Sequence, residues 1–217
     1  KNSRRVLHSS LLENPMLTIY DLKPRFQDLL RPMVRWLWKK GITPNQITWL
    51  AFWLSVLGGA GVALQPTERW PFLLIPLLMF IRMALNAIDG MLAREHDLRS
   101  PLGSMLNELG DVVSDTVLYL PLGLIPGVSG AAAAIFAVLA VVSELAGVAA
   151  VQIGSSRRYD GPMGKSDRAF AIGFIGLLLG LGVAPGFWLS ALLWVLVGLL
   201  GWTVVNRVRK ALQESAP

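Results

Sequence analysis

The sequence predicts an all-α integral membrane protein: six transmembrane helices preceded by an N-terminal amphipathic interfacial helix. Of the 217 residues, 53% are hydrophobic and only 16% are charged, which is unusual for a soluble domain of this length. The apolar residues form runs of about 20 residues, the length at which a helix crosses a bilayer. Basic and nearly uncharged connections alternate between these runs, as in a chain that crosses a membrane repeatedly.

The first 45 residues precede the first predicted span. Residues 22–38 mix four basic side chains with apolar ones, a pattern typical of a helix lying on an anionic membrane surface. Lys39-Lys40-Gly41 is expected to end this helix. Its expected role is that of a topology anchor.

The predicted spans and the charge of their connections set the topology. Basic connections lie around residues 94–99, 157–168 and 207–210, and the others carry almost no net charge. The positive-inside rule then places both termini in the cytoplasm. We divide the chain into an N-terminal segment (1–45), a six-helix domain (46–206) and a basic tail (207–217). The spans are expected near residues 46–65, 71–94, 101–124, 130–154, 168–184 and 187–206.

Composition also narrows the chemistry. The chain has no cysteine, which excludes disulfides, thiol catalysis and cysteine-ligated metals. The net charge is +6, but in a membrane protein the location of charge matters more than its sum. No nucleic-acid partner is expected.

Polar side chains are concentrated at the end of span 2 and the beginning of span 3. Each set falls on one stripe of its helix, and the two helices run in opposite directions from a shared cytoplasmic loop. At about 1.5 Å per residue, Asp89 and Asn107 then lie at matching depth, with Asn86 and Asp111 one turn deeper. The stripes are Asn86, Asp89, Gly90 and Ala93 on span 2, and Gly103, Asn107 and Asp111 on span 3.

Four oxygen-bearing side chains therefore converge near one membrane face. A charged side chain at the bilayer centre costs about 2.5–3.5 kcal/mol on insertion scales. Charged residues within a span therefore indicate a functional site by default. Hard oxygen ligands suit Mg²⁺ or Mn²⁺, which in turn suit a pyrophosphate. Gly90, Ala93 and Gly103 leave room for a ligand, and Arg94 is a natural phosphate partner.

Residues 86–111 resemble the motif of the CDP-alcohol phosphatidyltransferase family. That motif reads Asp-x-x-Asp-Gly-x-x-Ala-Arg, eight residues, then Gly-x-x-x-Asp-x-x-x-Asp. Every spacing holds here, but Asn86 and Asn107 replace the first and third aspartates. The segment 41–45, the loop at Gly164 and Lys165, and the count of six spans are also similar to the family.

The resemblance implies a transferase of phospholipid synthesis. It would move a phosphatidyl group from a CDP-linked donor, CDP-diacylglycerol above all, to an acceptor alcohol and release CMP. One or two Mg²⁺ or Mn²⁺ ions are implied, and the two asparagines favour one. A homodimer in contact with membrane lipids is also implied. The expected location is a bacterial inner membrane, with the active site facing the cytoplasm. The implied roles are Asp111 as general base, metal ligation by Asp89, Asp111, Asn86 and Asn107, and CDP binding by Asn45, Gly90, Ala93, Arg94 and Gly103.

Two other functions stay open at this point. Losing two metal-site carboxylates could mark a catalytically degenerate lipid-binding or scaffold protein. A small transporter could use the buried charges as a relay, although the motif residues lie near one membrane face. Against degeneration, asparagine keeps a ligating oxygen, and Asp111 and Arg94 are present.

Further charged residues are not explained by the motif. Arg82, Asp115 and Glu144 should lie at similar mid-bilayer depth, so we expect Arg82 to pair with Asp115 or Glu144. Glu108 could restore a charge to the metal site, or it could face a neighbouring helix or a partner subunit.

The loop after span 4 is dense in polar groups. Its Arg157, Arg158 and Lys165 could bind an acceptor's phosphate or a lipid head group, or they could simply be positive-inside residues. The leading acceptor is therefore glycerol 3-phosphate. Serine, an inositol phosphate, phosphatidylglycerol and a CDP-aminoalcohol donor remain open.

Overall fold

The structure is a computed structural model that describes residues 19–215, and it contains no strand within that range. Short 3₁₀ segments continue the fourth and fifth helices as far as Leu124 and Ile153. The helices are α1 (Ile19–Lys39), α2 (Pro44–Leu64), α3 (Arg69–Glu95), α4 (Pro101–Tyr119), α5 (Gly130–Ala149), α6 (Lys165–Gly180) and α7 (Phe187–Ser215).

Each of the six predicted spans contains a helix, and four helices are long and apolar enough to cross a membrane. Those four are α2, α3, α5 with its extension, and α7. Helix α4 falls short of that criterion because it carries several polar and charged residues, and α6 because it has only 16 residues. The protein is an integral membrane protein. Six crossings and two cytoplasmic termini stay predictions.

Two helix boundaries differ from the predicted ones. Helix α6 spans Lys165–Gly180 rather than 168–184, and its first turn is capped by Asp167, which accepts a hydrogen bond from the Gly164 N–H at 2.9 Å. Helix α7 continues past residue 206 to Ser215, because Arg207 and Lys210 are held by ion pairs to the rest of the protein. The predicted basic tail is therefore helical in its described part.

Capping residues fix where α2 and α4 begin. Thr43 and Gln46 form a capping box at the start of α2, with Pro44 as its first residue, an arrangement that satisfies otherwise unpaired backbone N–H groups. At the start of α4, the Ser100 hydroxyl accepts a hydrogen bond from the Gly103 N–H at 2.9 Å. Both of these helix starts lie beside the end of α3.

Small residues let the helices approach closely, as in many membrane proteins. A Cβ added to Gly59 of α2 would come within 2.1 Å of the Val117 carbonyl oxygen of α4. One added to Gly176 of α6 would come within 2.7 Å of the Ile75 Cβ of α3. These contacts fix α4 and α6 against the α2–α3 pair, so the polar ends of the helices hold constant positions.

Helix α1 packs against the last turns of α3 and the beginning of α2. Its Leu30, Val34 and Leu37 are buried in a cluster with Ile88 and Leu92 of α3. Other large apolar residues of α1, including Leu29, Met33 and Trp36, are exposed. Association of this exposed side with a membrane surface stays a prediction.

Candidate functional site

A cavity of about 410 Å³ lies where α2 and α4 begin and α3 ends. Of the nine residues predicted to bind CDP or a metal, eight line it, and Asp111 is held beside it through Asn86. The helix starts described above bring these side chains together. The eight are Asn45, Asn86, Asp89, Gly90, Ala93, Arg94, Gly103 and Asn107.

Two glycines keep this cavity open to polar atoms. A Cβ added to Gly103 would lie 2.8 Å from Asn45 Oδ1 and 2.9 Å from Ser100 Oγ. One added to Gly90 would lie 3.0 Å from Arg94 Nη1. A side chain at either position would occupy space against groups that can hydrogen-bond a ligand.

The Asp89 carboxylate is buried on the wall of the cavity. Its Oδ2 accepts a hydrogen bond from the Thr48 hydroxyl of α2 at 2.9 Å, and the whole residue is buried. The hydroxyl sets the orientation of the carboxylate, because the hydrogen bond joins two different helices. Asp89 therefore presents an oriented carboxylate to the cavity.

The Asp111 carboxylate has both oxygens engaged. Asn86 Nδ2 donates to Oδ1 at 3.0 Å, and the Lys165 ammonium forms an ion pair with Oδ2. The Arg82 guanidinium donates to the Asp111 carbonyl oxygen at 3.2 Å. Asparagine at position 86 thus makes a hydrogen bond where an ionised aspartate would repel Asp111.

These residues fit one divalent cation better than two. Asp89, with the side-chain amides of Asn86 and Asn107 in the same cavity, supplies the hard oxygen donors that Mg²⁺ or Mn²⁺ prefers. A second ion would need Asp111, whose oxygens already contact Asn86 and Lys165. Within residues 19–215, no group of three or more acidic, histidine or cysteine side chains is placed to hold a metal.

A network of buried ion pairs lies next to Asp111. Arg82 Nη1 is 2.6 Å from Asp115 Oδ1, the first of the two partners expected from the sequence. The other, Glu144, pairs with Arg168 at 2.9 Å and with Arg207 at 3.5 Å. Arg168 Nη2 is also 2.9 Å from Asp115 Oδ2.

Sequence analysis did not single out Arg168 and Arg207 as buried residues. Both side chains are almost completely buried. Each lies at the predicted cytoplasmic end of a span, where a basic residue is ordinarily a topology signal. Arg207 also donates to the carbonyl oxygens of Ser143 and Asp160. The sequence did not indicate which acidic residues Arg168 and Arg207 pair with, because those partners lie 24 to 63 positions away.

The three basic residues predicted to bind an acceptor reach different places. Lys165 contacts Asp111, and Arg157 makes a two-pronged ion pair with Glu108, with Nη2 2.8 Å from Oε2. Arg158 instead pairs with Asp160 at 2.8 Å and with Glu214 of α7 at 2.5 Å. Glu108 therefore faces the loop rather than the oxygen ligands of the cavity.

Asp160 holds this loop to α7. Partial burial raises the pKa of its carboxyl, but hydrogen bonds from Arg158 and Lys210 outweigh that effect, so the pKa lies below its ordinary value. Asp160 is therefore an ionised anchor, and Lys210 Nζ lies 2.7 Å from its Oδ1.

Comparison with known proteins identifies the family. The family profile described as CDP-alcohol phosphatidyltransferase matches residues 41–205, three quarters of the chain. The chain belongs to the CDP-alcohol phosphatidyltransferase family. The matched range begins just before α2 and ends within α7, so it contains the whole cavity and every member of the ion-pair network except Arg207.

Individual relatives agree with this assignment. Inner membrane protein YnbA of Escherichia coli (strain K12) is 44% identical over 203 residues, which cover 92% of this chain and 99% of that protein. Cholinephosphotransferase 1 of Xenopus laevis is 30% identical over 130 residues, 54% of this chain and 30% of that protein. This CDP-alcohol phosphatidyltransferase is thus a membrane transferase of phospholipid biosynthesis.

The fold is shared with a solved structure of the family. The crystal structure of Mycobacterium tuberculosis phosphatidylinositol phosphate synthase (PgsA1) with CDP-DAG bound superposes with a TM-score of 0.69. The two proteins are 21% identical, and the match covers 83% of this chain and 92% of that one.

Proposed function

We propose that this enzyme transfers the phosphatidyl group of CDP-diacylglycerol to the hydroxyl of an acceptor alcohol and releases CMP. The observation that carries the proposal is the cavity lined by Arg94, two glycines and the Asp89 carboxylate. A site for a nucleotide pyrophosphate needs a cation that binds phosphate, room for the phosphates to approach the backbone, and a hard oxygen ligand for a divalent metal ion. The bound CDP-DAG named in the PgsA1 structure supports this donor.

The cavity residues would divide the work of binding the donor. Arg94 would contact the pyrophosphate, Gly90 and Gly103 would let it approach the backbone, and Asn45 would hydrogen-bond the nucleotide. Asp89, with Asn86 and Asn107, would hold one Mg²⁺ or Mn²⁺. When bound, that ion would neutralise negative charge that develops on the phosphate oxygens.

Asp111 would act on the acceptor. Its carboxylate would exchange the contact with Lys165 for the acceptor hydroxyl and take its proton. The hydroxyl oxygen would form a bond to the β-phosphorus of the donor, and the bond from that phosphorus to the oxygen of CMP would break. CMP would leave with the electrons of that bond, and the proton would stay on Asp111 until solvent removes it.

The location and assembly of the enzyme extend this proposal. The basic connections support a cavity on the cytoplasmic side, by the positive-inside rule. The name of the inner membrane protein YnbA supports a bacterial inner membrane. A homodimer is proposed on the family resemblance alone.

One assay tests the proposed function. Purified protein is mixed with CDP-diacylglycerol, Mg²⁺ or Mn²⁺, and a panel of alcohols, and CMP release is measured, with CDP-choline as an alternative donor. We expect CMP release that depends on an alcohol and is abolished by EDTA. No CMP with any alcohol, donor or metal would support a non-catalytic lipid-binding protein instead.

The Gly103→Ala variant should weaken donor binding. The new methyl group would lie less than 3 Å from Asn45 and Ser100, so we expect the KM for CDP-diacylglycerol to rise about tenfold or more. Gly198→Ala is the matched control, since a Cβ there meets no atom of residues 19–215 within 4 Å. Equal KM values for the two variants would show that the donor does not pass Gly103.

A further inference from the structure

Two cations that solvent can reach lie against α4, one in the loop 154–164 and one at the start of α6. The Lys165 and Arg157 side chains are 33% and 30% exposed. Each contacts a carboxylate of similar exposure, Asp111 at 20% and Glu108 at 29%. We call these four residues the acceptor face, because Asp111 is the proposed base. Their formal charges cancel one for one.

Glu108 makes the stronger of these two pairings. Its two oxygens contact the two terminal nitrogens of Arg157 in a fork-to-fork arrangement, the geometry in which a guanidinium binds a carboxylate or a phosphate most firmly. Glu144 Oε2 lies a further 3.8 Å from Arg157 Nη2. The position that an acceptor's phosphate would take on Arg157 is thus filled by a carboxylate of the protein itself.

Two further cations, which pair with Asp115 and Glu144, lie out of reach of solvent. The Arg168 and Arg207 side chains are 0% and 2% exposed. Their guanidinium groups contact Asp115, Glu144 and the carbonyl oxygens of Ser143 and Asp160. An incoming anion could reach them only by breaking a buried network, which is strongly unfavourable.

We propose that Glu108 keeps the acceptor face electrically neutral and that the acceptor is an uncharged alcohol, one without a phosphate of its own. This inference rests on the proposed function. A phosphate monoester carries nearly two negative charges at neutral pH. It would meet Asp111 and Glu108 and would have to displace Glu108 from Arg157, leaving a half-buried carboxylate unpaired. Glycerol 3-phosphate, which the basic loop alone suggested, is therefore disfavoured.

The Glu108→Gln variant tests this assignment through binding. Binding of glycerol 3-phosphate to the purified protein is measured by calorimetry, without turnover. We expect E108Q to bind it about tenfold more tightly than the wild type, because Arg157 loses its competing charge. The double variant E108Q/R157Q should return to the wild-type affinity. Glu214→Gln is the matched control: it makes the same change of charge beside Arg158, away from Asp111, and should leave the affinity unchanged.

A failure of this inference can be distinguished from a failure of the proposed function. The inference is overturned if E108Q binds glycerol 3-phosphate no better than the wild type, or if E214Q improves binding equally. In turnover, the wild type should release CMP faster with glycerol or inositol than with their phosphates, and the opposite preference overturns the inference even if E108Q does not fold. Absence of CMP release with every alcohol would defeat the proposed function, while the binding series would still decide the neutrality of the acceptor face.

Discussion

Replacing Asp111 by asparagine is expected to lower the rate of CMP release by about 10³-fold, within the range that a general base contributes. The substitution keeps the size of the side chain and an oxygen that can accept the Asn86 hydrogen bond. It removes the group that we propose takes the acceptor's proton. CMP release from CDP-diacylglycerol with a saturating alcohol is the measurement.

The kinetic constants distinguish a base from a structural residue. Asp111 does not line the donor cavity, so D111N should lower kcat while the KM for CDP-diacylglycerol changes little. Asp28→Asn is the control, because that exposed carboxylate pairs only with Arg31 among its described contacts. A D111N enzyme with the wild-type kcat would place the base elsewhere.

Replacing Arg168 by methionine should destabilise the protein by about 3–5 kcal/mol, the usual effect of removing one partner of a buried ion pair. Arg168 joins Asp115 of α4 to Glu144 of α5 with two contacts of 2.9 Å. Without it, two carboxylates remain buried with fewer partners. Thermal unfolding in detergent, followed by size-exclusion chromatography, is the measurement.

Two variants separate the charge effect from loss of packing. Arg209→Met on α7 removes an exposed arginine and should leave the unfolding temperature unchanged. Arg168→Met combined with Glu144→Gln should recover part of the loss, since one of the two carboxylates that lose Arg168 is neutralised as well. An Arg168→Met protein that unfolds at the wild-type temperature would show that the network contributes no net stability.

The position of the cavity could be predicted because it depends on local rules. Helical periodicity places Asp89 and Gly90 on one stripe and Asn107 and Asp111 on another. Two consecutive helices joined by a short loop must then bring the stripes to one depth. The structure has eight of the nine predicted residues on a single cavity, although their roles stay predictions until they are tested.

The partners of the charged residues could not be predicted in the same way. Glu108 and Arg157 are 49 positions apart, and they meet only because the loop after α5 folds back over α4. Arg168 lies in the first turn of α6, close in sequence to the basic loop residues, yet tertiary packing buries it. Burial of a cation at a span's end is decided by neighbouring helices, and a single sequence does not show which helices those are.

The two asparagines illustrate a third case. The sequence indicated fewer negative charges for metal binding, which favoured one ion. It did not show that Asn86 would donate to Asp111 at 3.0 Å or that Lys165 would contact the same carboxylate. Both contacts engage the carboxylate oxygens of Asp111. They support the proposed separation between a donor cavity at Asp89 and an acceptor face at Asp111.

The central claim is that the donor's β-phosphorus is transferred to an alcohol at this site. The most direct measurement uses CDP-diacylglycerol labelled with ³²P at the β-phosphorus and follows the label in the wild type and in Asp89→Asn. We expect the wild type to place the label in a new lipid ester and to release unlabelled CMP, and D89N to do neither at a detectable rate. Label in the released nucleotide, or full activity of D89N, would contradict the account.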